Sequence, residues 1–244
     1  AEEKAVNTIS RSARMGIHTV SRYDDDFPKM LLSTVGEDGK PSIPVLLYYK
    51  GNLSITSLPA LAVIGTREPD SYGLKAGHYY SEAFASIGVN IVSGLALGCD
   101  TQGHRGALDA GGLTTAFLAH GLDKVYPEEN TDLAQEIVDK GGLLMSEYPI
   151  GTWVNRYNLV ARDRLQAGLS DATLVIQTGI KGGTMHAVRA TQAARKPLFV
   201  VDYSKSSFDK VEGNVFLKRE GAVGLSASEF SASRIQSNPE SMIA

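Results

Sequence analysis

The first residues that could do chemistry lie in the stretch LAVIGTREPDSYG, at positions 61–73. A short apolar run, typical of a strand, leads directly into Gly65, Thr66 and Arg67, and a helical pattern begins near Gly73. A glycine turn between a strand and a helix presents backbone N–H groups to an anion such as phosphate. The turn contains neither G-x-G-x-x-G nor G-x-x-x-x-G-K-[ST], so it predicts an anion site without identifying the anion.

Three further glycine turns follow apolar runs. They contain Gly94 and Gly98 in SGLALGCD, Gly121 and Leu122 in HGL, and Lys181, Gly182, Gly183 and Thr184 in TGIKGGTMH. A single turn of this kind is explained by the tight bend that glycine permits. Four of them at one edge of a sheet would line that edge with N–H groups and helix N-termini, which indicates a cradle for several phosphates.

The pattern around these turns predicts an α/β fold. Strand-like runs lie at 61–65, 89–93, 113–119, 142–147, 172–177 and 197–202, and helical patterns lie between them at 73–87, 100–110, 128–139, 158–168 and 184–195. Such alternation predicts a mainly parallel sheet covered by helices on both faces, a Rossmann-like domain that binds ligands beyond the carboxyl ends of its strands.

Three parts are expected along the chain. Residues 1–60 are interpreted as a short N-terminal extension, in which VLLYYKGNLSI predicts a strand, a Gly-Asn turn and a second short strand. Residues 61–230 would form the Rossmann-like domain. Residues 231–244, which are small and polar, would form a flexible tail.

Charge is unevenly distributed in this chain of 244 residues, whose net charge is −3. Between Gly151 and Lys196 only Asp163 and Asp171 oppose seven basic residues: Arg156, Arg162, Arg164, Lys181, Arg189, Arg195 and Lys196. This pattern indicates a directed polyanion site, although solvated arginines remain the alternative, which we favour for Arg189 and Arg195. In the adjoining loop, Trp153 and Tyr157 could stack on unpaired bases or pack against the protein.

Several other classes of function are disfavoured. No apolar run approaches the ~20 residues of a membrane span, and AEEKAVNTIS lacks the apolar core of a secretory signal. The single cysteine, Cys99, excludes an internal disulfide, so a cytoplasmic protein is expected. Cys99 and His104 could be a nucleophile and its base or metal ligands, but a helix N-cap at Asp100 and burial of the thiol explain the region more simply. No metal or cofactor is expected.

Five stretches form an ordered series: AVIGTREPDSYG, IVSGLALGCDTQGHRGALDAGG, GLDKVYPEEN, MSEYPIGT and ARDRLQAGLSDATLVIQ. In this order and spacing they resemble the motifs of the DNA-processing protein A (DprA, or Smf) family, over about residues 25–230. The resemblance implies an extended Rossmann-like domain that binds single-stranded DNA without sequence preference. It also implies protection of incoming strands during natural transformation, help in loading a RecA-type recombinase, a homodimer and no enzymatic activity.

The resemblance also implies a set of DNA-binding residues. It puts Arg67 in the family's DNA pocket and matches the glycine turns and the loop before the helix at 158–168 to the family's polar and basic positions. Gly94 is added from the glycine turns and Arg156 from the basic segment. The candidates are then Gly65, Thr66, Arg67, Gly94, Gly121, Leu122, Arg156, Asn158, Arg162, Arg164, Lys181, Gly182, Gly183 and Thr184.

The chain departs from the family pattern in ways that leave alternatives open. Asp163 stands where asparagine is usual, and no winged-helix domain follows, so we expect a divergent or shortened member. One alternative is a nucleotide-binding sensor without catalysis, and another is a scaffold with a vestigial pocket. A phosphoribohydrolase-like enzyme of the same fold is a third, but Lys181 replaces the proline of its P-G-G-x-G-T-x-x-E turn. No glutamate follows on the helix, which leaves no general acid or base there.

Overall fold

The computed structural model describes residues 2–203 and 210–226. The strands are β1 (His18–Ser21), β2 (Leu46–Gly51), β3 (Ala60–Ile64), β4 (Asn90–Ser93), β5 (Thr114–Leu118), β6 (Leu143–Ser146), β7 (Ala172–Val175), β8 (Leu198–Asp202) and β9 (Val223–Ser226). The helices are α1 (Glu2–Arg14), α2 (Ser71–Ser86), α3 (Cys99–Asp109), α4 (Thr131–Asp139), α5 (Arg156–Leu169), α6 (Thr184–Ala193) and α7 (Glu212–Arg219).

These strands form one nine-stranded sheet in the order β1-β2-β6-β5-β4-β3-β7-β8-β9. The strands from β3 to β9 pair in parallel, whereas β1 and β2 pair antiparallel with their neighbours. The α/β Rossmann-like fold predicted from the sequence is therefore confirmed. All six predicted strands and all five predicted helices are present, with their ends displaced by a few residues.

The core lies on both faces of the sheet because neighbouring residues of a strand point in opposite directions. In β4, Ile91 packs into the apolar cluster beneath α2 and α3, whereas Val92 packs into the cluster that contains Leu165 of α5. Both side chains are fully buried. A parallel sheet covered in this way needs apolar residues throughout its strands, which explains the continuous runs in the sequence.

The strand order reverses between β3 and β7. From β3 the chain moves through β4 and β5 to β6 on one side, and it then crosses to β7 and moves through β8 to β9 on the other. In open α/β sheets a ligand crevice forms beyond the carboxyl ends of the strands at such a reversal. The turn after β3 and the turn between β7 and α6 flank this crevice.

The N-terminal 60 residues contribute to the same sheet. Tyr48 of β2 pairs with Ser146 of β6, and β1 completes that edge. The second short strand expected in the lead-in is instead a 3₁₀ turn at Leu53–Ser57, since the Asn52 side chain accepts the Ser54 N–H at 3.1 Å and starts a turn. The boundary at residue 60 stays a prediction, and the predicted tail at 231–244 lies outside the described residues.

Gly98 holds the turn after β3 against the start of α3. Its φ is +79°, and a Cβ here would lie 2.6 Å from the carbonyl oxygens of both Thr66 and Arg67. A residue with a side chain would therefore be strained in its backbone and would push the turn away.

We predict that Gly98→Ala lowers the free energy of unfolding by about 2 kcal/mol or more, because it combines a positive φ with a clash against backbone. Urea denaturation monitored by circular dichroism measures this change. The matched control is Gly182→Ala, which has neither a positive φ nor an atom within 4 Å of the added Cβ. Equal midpoints for the two variants would contradict the positioning role of Gly98.

Candidate nucleic-acid interface

A cleft of about 470 Å³ lies at the reversal of strand order. The turn after β3, the first half of α5 and the turn before α6 form its walls. Nine of the predicted residues line it: Gly65, Thr66, Arg67, Arg156, Arg162, Lys181, Gly182, Gly183 and Thr184. The four predicted glycine turns all follow carboxyl ends of parallel strands, but only some of them reach the cleft.

The backbone of the turn after β3 is fixed by hydrogen bonds. The Thr66 N–H donates to the Gln177 carbonyl oxygen at 2.8 Å, and the Asp70 N–H donates to Gln177 Oε1 at 3.0 Å. Asp70 in turn caps α2, because its Oδ1 accepts the N–H groups of Tyr72 and Gly73 at 2.9 and 2.8 Å. The turn is therefore a rigid wall of the cleft.

The Arg67 side chain projects from this wall, and its charge is not paired within the described residues. The side chain is exposed, and within the described ranges it makes no hydrogen bond or ion pair. Its acidic neighbours are engaged elsewhere, since Asp70 caps α2 and Glu68 lies 3.6 Å from Lys210. Lys181, across the cleft, is also exposed and has no partner among the described residues. Two cations that have no partner within residues 2–203 and 210–226 thus line one cleft.

The turn before α6 adds backbone donors. Within the described part of the chain, the N–H groups of Gly182, Gly183 and Thr184 donate to no protein acceptor. Gly182 and Gly183 also have open space where a Cβ would stand, and neither needs a positive φ. The fold does not require glycine at these two positions. Close approach of an anion to the N-terminus of the helix would require it, because a side chain would stand in the way.

The floor of the cleft is a buried charge cluster. Arg162 is 5% exposed, donates through Nη1 to the Phe117 carbonyl oxygen, and places Nε 3.2 Å from Asp163 Oδ1. The neighbours of the Gln166 amide fit the orientation in which its oxygen and nitrogen are exchanged. In that orientation the Gln166 oxygen accepts from Arg162 Nη1 at 2.9 Å. Arg162 therefore has a structural role, and its guanidinium is already bound by the protein.

Asp100 closes the turn after β4. We predicted it as the N-cap of α3, which is wrong: α3 begins at Cys99 with Gly98 as its N-cap. The Asp100 carboxylate instead accepts the N–H groups of Gly94 and Ala96 at 3.1 and 3.3 Å. Burial raises the pKa of Asp100, and the nearby Arg162 partly offsets this rise. The Gly94 N–H is consequently not available to a phosphate.

Four other predicted residues lie outside the cleft. Gly121 and Leu122 are buried, the Gly121 N–H donates to the Thr152 carbonyl oxygen at 3.1 Å, and Leu122 belongs to an apolar cluster. The Asn158 side chain donates to the Ala119 carbonyl oxygen at 3.2 Å. Arg164 forms a bidentate pair with Glu147, with both distances 2.7 Å. The structure does not bring these side chains together with Arg67.

Most of the basic segment between 151 and 196 has structural partners. Lys196 Nζ donates to the carbonyl oxygens of Ala167, Gly168 and Ser170 at 2.7–2.9 Å. The Arg189 side chain is exposed, as expected, and its charge is also paired with Glu37 at 2.6 Å. The local excess of positive charge is therefore not a single stripe, and within the described part of the chain only a few of its cations are available in the cleft.

Cys99 and His104 do not form a catalytic pair. Both are fully buried, and burial raises the pKa of the Cys99 thiol to about 12, so the thiol stays protonated. Burial lowers the pKa of His104 to about 3, and its Nδ1 lies 2.7 Å from Thr114 Oγ1. The prediction that Cys99 is a small buried apolar residue is confirmed.

The described ranges, residues 2–203 and 210–226, lack two features of other classes of function. No three His, Cys, Asp or Glu side chains come together there as a possible metal site. None of the helices in those ranges is both long and apolar enough to cross a bilayer.

Comparison with known proteins identifies the family. A profile of the family described as DNA recombination-mediator protein A matches residues 18–235. The chain belongs to this family. Protein Smf of Synechocystis is 37% identical over 180 residues, and Protein Smf of Escherichia coli is 30% identical over 206 residues. These matches cover 72% and 84% of the chain but only 44% and 53% of the relatives, so the chain spans about half their length.

Solved structures of two DprA proteins have the same fold as this chain. The X-ray structure of DprA from Streptococcus pneumoniae is 28% identical, with a TM-score of 0.81 over 96% of this chain and 78% of that one. DprA from Helicobacter pylori, whose structure is described as giving insights into its single-stranded DNA binding mode, is 30% identical. Its TM-score is 0.72 over 85% of this chain and 90% of that one.

A more distant structure shares only the fold. The molybdenum cofactor binding protein of Rippkaea orientalis is 21% identical, with a TM-score of 0.50 over 73% of this chain and 96% of that one.

Asp163 lies in the charge cluster at the floor of the cleft, at a position where asparagine is usual in the family pattern. Its side chain is 16% exposed, and burial raises its pKa to about 6, although the adjacent Arg162 acts in the opposite direction. Below pH 6 the carboxyl is mostly neutral, and above pH 6 it adds a negative charge to the cleft.

We therefore predict that affinity for a phosphate-bearing probe such as oligothymidylate rises as the pH falls from 7.5 to 5.5. A unit charge about 4 Å from a phosphate contributes about 1 kcal/mol when water screens the pair, which is roughly fivefold in affinity. Asp163→Asn should bind more tightly than wild type at pH 7.5 and lose most of the pH dependence in fluorescence anisotropy titrations.

The control for this prediction is His186→Gln, which changes another side chain that acts electrostatically on Asp163. It should keep the pH dependence. An Asp163→Asn variant with the same pH profile as wild type would show that another group causes the pH dependence of binding.

Proposed function

We propose that this protein binds single-stranded DNA without sequence preference and that the cleft holds phosphates of the strand. The observation that carries the proposal is a set of donors in one cleft that have no acceptor among the described residues: Arg67, Lys181 and the N–H groups of residues 182–184. Guanidinium, ammonium and helix N-terminal donors all recognise phosphate oxygens.

Such contacts read the backbone and carry no base sequence, which supports binding without sequence preference. A volume of about 470 Å³ lies in the range of drug-sized ligands, so the cleft suits about one or two nucleotides of a longer strand. Because phosphate binding releases counterions, the affinity should fall as salt rises. The H. pylori relative adds support, since that protein binds single-stranded DNA.

The proposal extends to the cellular role implied by the family. The protein would protect incoming strands during natural transformation and help to load a RecA-type recombinase. It would act in the cytoplasm as a homodimer and without catalysis. Family membership supports this extension, and the burial of Cys99 and His104 agrees with a binding role.

A free nucleotide is the second candidate ligand, as a sensor or as the substrate of a phosphoribohydrolase-like reaction. Two observations favour it: the volume of the cleft and the raised pKa of Asp163, which suits a general acid or base near neutral pH. Competition of mononucleotides against a labelled oligonucleotide separates the two ligands, and chromatography of the nucleotides afterwards detects any cleavage.

Arg67→Ala tests the assignment of the cleft. The substitution removes a charged hydrogen bond worth about 1.5–3 kcal/mol, so we expect a tenfold to hundredfold loss of affinity for single-stranded DNA. The melting temperature should be nearly unchanged, because the side chain is exposed and has no partner among the described residues. Fluorescence anisotropy and thermal denaturation on the same preparation measure both quantities.

The matched control for charge is Arg14→Ala, an exposed arginine at the end of α1 that does not line the cleft. It should leave the affinity within about twofold, because the charge of a distant exposed group is screened. Unchanged binding by Arg67→Ala would refute the cleft assignment, and an equal loss in both variants would indicate attraction by overall charge alone.

Gly183→Ala tests the turn before α6 independently. The φ of Gly183 is −59°, and an added Cβ meets no atom within 4 Å, so the protein should fold with an equal or higher melting temperature. The methyl group would stand where a phosphate approaches the free N–H groups, and we expect about a tenfold loss of affinity, comparable to the loss of one hydrogen bond. Full affinity in the stable variant would place the phosphates elsewhere.

A further inference from the structure

Two aromatic rings are exposed where the loop after β6 enters α5: Trp153 lies in the loop and Tyr157 in the first turn of the helix. Trp153 is 69% exposed and Tyr157 is 68% exposed, and Trp153 is the only tryptophan of the chain. Side chains of this size are usually well buried in folded proteins, because they contribute large apolar areas to a core. Two such rings only four positions apart in the chain and both at the surface therefore need an explanation.

The backbone that carries the rings is well anchored. The Gly151 N–H donates to Asp123 Oδ1 at 2.9 Å, and the Thr152 carbonyl oxygen accepts the Gly121 N–H at 3.1 Å. Asn155 caps α5 by accepting the Tyr157 N–H at 3.0 Å. The rings are consequently presented by a fixed loop rather than by a loose one.

Each ring lies beside a cation. Lys124 Nζ is 3.3 Å from the centre of the Trp153 ring, and Arg156 Cζ is 4.7 Å from the centre of the Tyr157 ring. Arg156 also lines the cleft, so the aromatic segment is continuous with the proposed phosphate site. Aromatic rings interleaved with cations are the surface on which unpaired bases stack while their phosphates are neutralised.

We propose that Trp153 and Tyr157 form a base-stacking platform that extends the track of the DNA strand beyond the cleft. The inference rests on the proposed function and adds the source of its single-strand preference. Phosphate contacts alone do not distinguish a single strand from a duplex, whereas stacking on these rings requires bases that are free of a partner strand.

The sole tryptophan makes the platform directly measurable. Titration with oligothymidylate should quench the fluorescence of Trp153 in proportion to the binding followed by anisotropy of a labelled strand. An abasic oligonucleotide of the same length keeps the phosphates and lacks the bases, so it should bind more weakly and leave the fluorescence unchanged. Binding of oligothymidylate without a change in Trp153 fluorescence would overturn the platform and leave the cleft proposal intact.

Variants provide the second measurement. Trp153→Ala should lower the affinity for oligothymidylate about tenfold, within the range measured for one base stacked on one aromatic side chain. It should leave the affinity for the abasic strand unchanged, and Trp153→Phe should restore most of the loss. Because the ring is exposed, the melting temperature should not change.

Tyr23 offers a matched control, because it is 77% exposed and has Arg22 Cζ 5.0 Å from the centre of its ring. It follows β1, which is separated from β6 by β2. Tyr23→Ala should bind normally, and an equal loss in Tyr23→Ala and Trp153→Ala would overturn the platform. The Arg67→Ala variant separates the two proposals, since it should weaken both the abasic and the normal strand, whereas Trp153→Ala weakens only the normal one.

Discussion

The buried guanidinium of Arg162 is the interaction on which the cleft depends. It lies beside Asp163, donates to the Phe117 carbonyl oxygen at the end of β5, and lowers the pKa of Asp100 against the effect of burial. Gly94 leaves the space that this group occupies, because a Cβ there would overlap the guanidinium. Removing Arg162 would leave two carboxylates without their counter-charge, a change that strongly destabilises buried sites.

This constraint divides the basic residues into two groups. Arg162, Arg164 and Lys196 bind carboxylates or carbonyl oxygens of the protein and hold α5 in place. Arg67 and Lys181 lie on exposed turns and keep their charges available. The structural group sets the position of the cleft walls and so of the backbone turns that carry the N–H donors. Those N–H groups can bind an anion with little loss of conformational entropy, whereas the exposed side chains of Arg67 and Lys181 lose rotamer freedom when they bind.

The cleft and the neighbouring aromatic rings offer complementary chemistry. The cleft presents charges and N–H groups, which suit phosphates, and the loop before α5 together with the first turn of α5 presents exposed rings, which suit bases. Arg156 belongs to both, since it lines the cleft and lies over Tyr157. The reversal of strand order places them side by side, because turns from distant parts of the chain meet at the same edge of a parallel sheet.

The sequence alone determined the fold class, because alternating strand and helix patterns leave a parallel sheet as the simple solution. It also determined that the glycine turns share an edge. It missed α1, α7, β1 and β9, since α1 is polar, α7 has only eight residues, β1 has only four residues and β9 is half exposed. Only the tertiary structure decided which cations are free. Arg164 meets Glu147 and Arg189 meets Glu37 across long sequence separations, and such pairings depend on how helices and loops pack rather than on any local pattern.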